Sequence, residues 1–250
     1  MTLFPDTSLT ERQVVTISFF KYKGLKKIWG MQQMQLAKGP VGMSPGLQFF
    51  KLLGSGDGFS LKPDFSTYGL LCVWSNIQVA RNFFHESAAF DRFTKNTDEQ
   101  WTIYMHPVHA HGKWSGAAPF QINKNFVVQN ELLAVITRAT LHTKHVWRFW
   151  QYVPKAGAAV HTHDGLIFTK GIGELPIVQQ ATFSLWRSKK DMMDFAYKNP
   201  FHTEVIQKTR ELGWYKEELF ARFTPFYTEG SWNGEDPLAP YLPLLQHKSQ

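Results

Sequence analysis

The sequence predicts an α+β protein built from two tandem βαββαβ units that close into a single barrel. Three observations carry this reading: an internal repeat, the same order of strand and helix signals in each half, and enough apolar residues for more than one packed layer. Of 250 residues, 43% are hydrophobic and 15% aromatic, with 21 Phe and 9 Trp, against 19% charged. That balance belongs to a globular chain with a sizeable core. The aromatic excess suits large apolar cavities or pockets for flat ligands as well as plain core filling.

The repeat is collinear. Gly46, Leu47, Phe49, Lys51 and Gly54 lie over Gly165, Leu166, Phe168, Lys170 and Gly173 at one constant offset of 119. Trp29 lies over Trp147, Trp74 over Trp186, Trp101 over Trp214, and Trp114-Ser-Gly116 over Trp232-Asn-Gly234, with small gaps. Two homologous halves follow, residues 12–120 and 130–236, with a linker over 117–130 and a tail at 237–250.

Each half carries the same local signals. Residues 14–20 are β-branched and aromatic and read as a strand. Residues 25–37 have helical spacing, with Leu25, Ile28, Trp29 and Gln32 on one side, and stop before Gly39-Pro40. Residues 47–53 read as a strand followed by a glycine turn at 54–58, then 68–74 as a strand, 77–96 as helical and 101–109 as a strand. In the second half, 132–140 is a strand and 142–153 a helix stopped by Pro154. Strands at 166–172 and 179–186 follow, then a helix at 188–197 and 201–212 broken at Asn199-Pro200, and a closing strand at 218–228. This is the ferredoxin-like unit twice over. One unit covers only one face of its four-stranded sheet with helices, so two units pack their bare faces together. The sandwiched sheets are expected to enclose a large, aromatic-lined chamber.

Composition excludes several classes. One cysteine, Cys72, rules out a disulfide scaffold and a Cys-based zinc cluster, and its mid-strand position reads as a small buried hydrophobe rather than a thiolate ligand. The first 13 residues, with Asp6, Glu11 and Arg12, do not read as a signal peptide, and no apolar run is long enough to span a bilayer. A soluble, cytoplasmic protein is expected. The net charge of +7 suits an acidic protein or an anionic lipid surface, but the basic residues, densest at 21–27, follow no nucleic-acid-binding pattern.

Few residues point to chemistry by themselves. Gly54-Ser-Gly-Asp-Gly58 lacks the Lys-Ser/Thr of a phosphate loop and reads as a tight turn. His109 and His111 share a strand face without a carboxylate, and His106 has the other parity, which makes a poor metal site. His161-Thr-His163-Asp164 offers three ligands for a divalent metal in what otherwise reads as a solvated loop. No Ser-His-Asp or Cys-His arrangement is present. His145, read on the first helix of the second half, and His202, at the helix break, stand where helices meet the sheet. Each is a ligand candidate set against an exposed helix-turn histidine.

Seven blocks extend this reading: residues 15–20, 46–56, Trp114-Ser-Gly-Ala-Ala-Pro-Phe120, Thr137-Arg-Ala-Thr-Leu141, Gly171-Ile-Gly-Glu-Leu-Pro176, 180–186 and 214–223. In order, and over nearly all of 15–236, the chain resembles the spheroidene monooxygenases, the carotenoid 2-ketolase family of purple bacteria. The resemblance implies haem b, O2 and reduced ferredoxin, with an acyclic carotenoid oxidised at an allylic C–H to an alcohol and then a ketone. At fold level it implies likeness to the haem-binding barrels of the chlorite-dismutase and aldoxime-dehydratase kind, which hold a His-ligated haem between helix and sheet of one half. His202 is then the implied iron ligand, with His145 as the alternative. Arg138 or Arg210 is the implied partner of a haem propionate, and Gln180, Thr182 and Arg210 are the implied polar groups of the catalytic pocket. A basic surface would draw in an acidic ferredoxin and rest peripherally on an anionic membrane. A homo-oligomer stays open, as do a haem-dependent dehydratase of the aldoxime kind and a non-enzymatic haem or pigment binder.

Overall fold

Strand β1 (Val14–Lys21) sets the pattern of the whole sheet. Its residues alternate between two buried faces: Val15, Ile17 and Phe19 point into one core, Val14 and Phe20 into another. A strand buried on both faces needs a layer on each side. The computed structural model, which describes residues 12–56, 62–123, 130–175 and 177–242, shows both layers.

The first half runs β1, α1 (Lys26–Leu36), α2 (Lys38–Gly42), β2 (Leu47–Gly56), β3 (Pro63–Trp74), α3 (Ile77–Glu86), α4 (Ala88–Thr94) and β4 (Glu99–Gly112). The second runs β5 (Leu133–Leu141), a 3-10 turn (Thr143–His145), α5 (Val146–Val160), β6 (Leu166–Leu175), β7 (Gln179–Trp186), α6 (Lys189–Lys198), α7 (Pro200–Leu212) and β8 (Tyr215–Gly230). The strands close into a barrel in the order β1-β3-β2-β6-β7-β5-β8-β4. The tandem βαββαβ barrel predicted from the repeat is the observed fold.

Two seams join the halves. The β4–β8 seam is long and antiparallel, from Trp101 opposite Gly230 to Gly112 opposite Leu219. The β2–β6 seam is short, with Gly54 opposite Gly173 and Ser55 opposite Ile172. The glycines expected in a turn after residue 53 therefore begin within a strand, and Gly54 and Gly173 meet across the barrel's narrow join. Residues 57 and 58 of that predicted turn lie outside the described residues.

The barrel interior is filled, which corrects the expectation of an internal chamber. Phe19 sits 5.3 Å from Phe168, 5.6 Å from Phe183 and 5.9 Å from Trp232, centroid to centroid. The residues predicted as a tail begin inside this core, since Leu238 and Leu242 pack into it. Large rings from β1, β6, β7 and the turn after β8 meet there and pack the apolar interior.

Local chemistry explains the other departures. The helix predicted over 77–96 breaks at Ser87, whose extended backbone lets its Oγ accept from Ala89 N (3.1 Å) and cap a new helix. Gly39-Pro40 does not end the helical stretch, because a proline in a first turn forfeits an N–H that has no partner there anyway. Pro154 does not stop α5: one missing donor removes one helix bond, and the helix continues to Val160.

The duplication is legible in the turns. After β4 and after β8 the chain forms the same bridged turn, Trp114 with Ala117 and Trp232 with Glu235. Glu217 of β8 accepts from the N–H groups of Ser115 (2.9 Å) and Gly116 (2.7 Å), and Glu99 of β4 accepts from Gly234 N (2.6 Å). Burial works against each charged carboxylate, but the N–H donors with Lys21 or Arg138 more than offset it, so both pKa values are lowered. Glu99 and Glu217 stand 118 apart, as do Gly112 and Gly230. Leu219, not Trp214, is therefore the counterpart of Trp101, which corrects that rung of the repeat.

Gly112 (φ +88°) and Gly230 (φ +86°) each lie where a Cβ would run into a backbone carbonyl across the β4–β8 seam, Glu218 and Gln100 respectively. Gly116 (φ +80°) has open space around it. Gly112→Ala should destabilise the protein by at least about 2 kcal/mol in urea denaturation, and Gly116→Ala by about 1 kcal/mol, since only the first adds a clash to the left-handed penalty.

Candidate functional site

The two halves share a fold but not an outer layer. The strand registers align them: Val14 opposite Trp74 corresponds to Leu133 opposite Trp186, and the irregularity after Leu47 recurs after Leu166. At matched positions on the helix-facing side, Phe20, Tyr68 and Leu70 of the first half become Ala139, Gln180 and Thr182. Phe50 and Leu52 become Thr169 and Gly171. In the first half this layer is one aromatic cluster running from Phe20 and Trp74 to Phe83, Phe90 and Tyr104. In the second it divides into two small clusters, Leu133, Val135 and Trp186 at one end and Leu141, Phe149 and Trp214 at the other.

Thr137 lies between those clusters on β5, opposite Thr182 and Phe220, and is exposed although its strand is central. The helices account for this. In the first half α1 lies on β2 and β3, whereas among the described residues α7 packs on α5 and α6, α6 touches β7, and α5 meets the sheet through Phe149 in the cluster of Leu141 and through Val160 in that of Leu133 and Val135. The second half thus has a sheet floor of small and polar side chains, and the large side chains described above it gather at its two ends. On the helix side, Trp214 is buried with its indole Nε1 unpartnered, a donor whose desolvation is uncompensated by protein.

A cavity of about 610 Å³ continues from this space across the β2–β6 seam. Gln180 and Trp150 line its near end, Met34, Phe50 and Leu52 its floor beneath α1. The volume falls in the range of small-molecule sites. Tyr68 lines it too, and its buried Oη has no hydrogen-bond partner. Burial first, then the nearby Asp64 charge, raises the Tyr68 pKa, so the group stays a phenol able to donate. A second basin, about 900 Å³, gathers His109, Lys189, Lys190 and Arg222. Burial, then the charges of Arg222, His111 and Lys189, lower the His109 pKa, the signature of a cationic patch.

The chain is 36% identical over 234 residues to the spheroidene monooxygenase of Cereibacter sphaeroides, spanning 92% of this chain and 72% of that protein. It is 34% identical over 230 residues to the spheroidene monooxygenase of Rhodobacter capsulatus, spanning 90% and 95%. The chain belongs to the spheroidene monooxygenase family. No protein-family model matches it. Among solved structures, an aldoxime dehydratase in complex with butyraldoxime superposes with a TM-score of 0.60 at 10% identity, over 88% of this chain and 81% of that one. A second aldoxime dehydratase gives 0.57 at 12% identity, over 90% and 86%. At such identities the likeness is one of fold alone, and it sets this spheroidene monooxygenase relative among the α+β barrels.

The residues singled out from the sequence fall in different places. Gln180 and Thr182 lie on the helix-facing side of the second half, opposite Ala139 and Thr137, and are half-buried. Arg138 does not: it points into the barrel, where Glu217 and Glu174 (3.3 Å) pair with its guanidinium and Trp114 lies under it. Its alternation with Ala134 and Ile136 puts it on the opposite face of β5 from Thr137. His145 closes the 3-10 turn before α5 rather than lying on a helix, with His142 6.4 Å away between ring centroids. Desolvation, then Lys144, His142 and Arg148, lower its pKa, which favours the neutral imidazole. His202 and Arg210 belong to α7, and their side chains lie outside the described residues.

Among the described residues no three of His, Cys, Asp and Glu come together as a metal site. The His163 Nδ1 accepts from Gly165 N (3.0 Å), and the ring packs on Trp186. Cys72 is fully buried and its thiol pKa is raised by that burial. Thr137, Ala139, Thr169 and Gly171 were not singled out from the sequence. Overlaying the two repeats at 119 would have shown Ser18 over Thr137, Phe20 over Ala139, Phe50 over Thr169 and Leu52 over Gly171.

His106 is buried against Phe226 (4.4 Å between centroids), and its Nδ1 donates to the Gln13 carbonyl at 3.2 Å. Burial first, and Arg12 in the same direction, push its pKa from 6.5 down to about 4 against the raising effect of that carbonyl. The unfolded chain therefore binds the extra proton between these values. Stability should be full above pH 6.5 and fall toward pH 4, by up to about 3 kcal/mol. Urea denaturation at about pH 7.5 and about pH 4.5 should show His106→Phe losing clearly less stability on acidification than the parent.

Proposed function

We propose that this protein is a haem-dependent monooxygenase that oxidises an acyclic carotenoid at an allylic C–H, first to an alcohol and then to a ketone. The observation that carries the reading is the unequal outer layer. Five large side chains that fill the first half are replaced in the second by Ala139, Thr169, Gly171, Gln180 and Thr182, on a face where Thr137 is exposed. That floor and the unpartnered Trp214 indole N–H fit a flat, mostly apolar macrocycle with a few polar edges. Family membership supplies the reaction type, and the seam cavity supplies room for the rest of a long substrate.

His202, in the first turn of α7, would hold the haem iron, and Arg210, further along the same helix, would pair with a propionate. His145 is the alternative ligand. Bound there, haem would supply O2 activation with electrons from reduced ferredoxin. Each hydroxylation consumes O2, two electrons and two protons and releases water. A second one at the same carbon gives a gem-diol that loses water to form the ketone. The side chains of this protein do the positioning. Thr137, Thr182 and Gln180 offer hydroxyl and amide groups at the sheet face, where a proton can be held beside the reacting carbon. The aromatic clusters at either end limit access of water. Phe50, Leu52 and Met34 cradle the unreactive part of the chain, and the Tyr68 hydroxyl meets a polar substituent there. The cationic basin of His109, Lys189, Lys190 and Arg222 is where an acidic electron carrier would dock.

Purified protein should carry a Soret band. His202→Ala should lower its haem content by more than about tenfold, and Thr137→Trp, which fills the floor, should lose haem while keeping the parent's far-UV spectrum. A colourless parent protein refuses haem after reconstitution only if the reading is wrong. With haem bound, reductant-dependent O2 uptake in the presence of an acyclic carotenoid separates the monooxygenase from a dehydratase, which would take up none.

A further inference from the structure

Thirteen large apolar side chains are exposed among the described residues, and they are not scattered. Leu25, Ile28, Met31, Leu36 and Met43 all belong to α1, α2 and the residues beside them, with Leu25 85% and Met43 84% exposed. Phe65, Leu175 and Ile177 stand on the other side of the seam cavity and line it, as Met31 does. Eight of the thirteen therefore lie on the α1–α2 stretch or in the lining of the seam cavity, and Met31 belongs to both. Single exposed hydrophobes need no explanation, but a contiguous set does.

The inner side of α1 already has its partner. Gly30 and Gln33 are buried there and Trp29 and Met34 pack on the aromatic cluster, so the helix is apolar on both its protein side and its solvent side. Charge sharpens the picture. Residues 12–56 contain no Asp or Glu, and Lys23, Lys26, Lys27 and Lys38 are exposed around the apolar set. Lys26 reaches Asp98 at 2.8 Å, the one carboxylate that pairs with the side chains of these four lysines among the described residues.

We propose that the α1–α2 face docks on an anionic lipid bilayer and opens the seam cavity directly onto it. Leu, Ile and Met side chains that project singly can enter the acyl boundary while lysines above them meet lipid phosphates, the arrangement of an interfacial amphipathic surface. A second copy fits worse, because a two-fold contact through this face would set the lysines against their own counterparts. A protein partner fits worse too, since protein interfaces favour Tyr, Trp and Arg at their centres and are depleted in Lys. Docking in this orientation solves the delivery of a water-insoluble chain: it passes from the bilayer between Met31 and Phe65 into the cavity without crossing water. The nature of what passes rests on the proposed function. The docking itself does not.

The test is flotation of the full-length protein with phosphatidylcholine vesicles, with and without a third of phosphatidylglycerol, and needs neither haem nor turnover. The protein should float with the anionic vesicles, and raised salt should weaken this. Leu25→Ser/Met43→Ser should lower partitioning at least about tenfold. Lys23→Gln/Lys27→Gln/Lys38→Gln should lower it by about tenfold or more. All five positions are exposed, so unchanged thermal unfolding certifies the fold. No flotation with either vesicle, or flotation that both variants leave intact, overturns the proposal. So does a dimer in size-exclusion chromatography that the serine variant abolishes, which would make the face a self-interface. A haem-free but vesicle-bound protein would sink the haem reading alone.

Discussion

The structure depends on closing a duplicated sheet. Each half offers four strands with one face covered by helices, one bare apolar face and two unpaired edges. The barrel disposes of both liabilities at once: bare faces meet in the interior, and edges meet at the β2–β6 and β4–β8 seams. Exposed edges and apolar faces are what make isolated sheets associate. Closure inside one chain removes them without a second molecule.

That solution has a functional consequence. The interior is committed to holding the barrel shut, with rings from Phe19, Trp101, Phe168 and Phe183 in contact and Arg138 locked between Glu174 and Glu217. Space for chemistry then has to come from the layer between sheet and helices. Duplication makes this affordable for stability, because one half can keep its outer layer full while the other gives it up. Fully buried Phe20, Trp74 and Tyr104 anchor the first half. The second half shows Thr137 to solvent from the middle of a central strand.

Much of this was legible in the sequence. The repeat at 119 and the order of strand and helix signals are enough for the barrel, because β-branched alternation and helical spacing are local properties. The location of the empty space was not read, because it depends on a comparison between halves rather than on any residue: Gly171 and Ala139 are unremarkable until set against Leu52 and Phe20. A guanidinium suits a propionate, which is what points to Arg138, yet strand parity sends it to the opposite face from Thr137. Trp101 and Trp214 were matched because tryptophan is rare, whereas the positions that repeat are the glutamates and glycines of the seam. Ser87 as a cap and Pro154 inside a helix are cases in which a single hydrogen bond, made or missing, decides a boundary that spacing cannot.

The reciprocal turn caps reach beyond this chain. Glu217, from the second half, holds the turn that ends the first, and Glu99, from the first, holds the turn that ends the second. Such an exchange is what a two-fold axis imposes on identical subunits. The clasp is therefore the contact that two identical one-unit subunits would make across such an axis. Fusion freed each copy of every site to drift separately, and a hollow that symmetry would have carved twice could then be carved once.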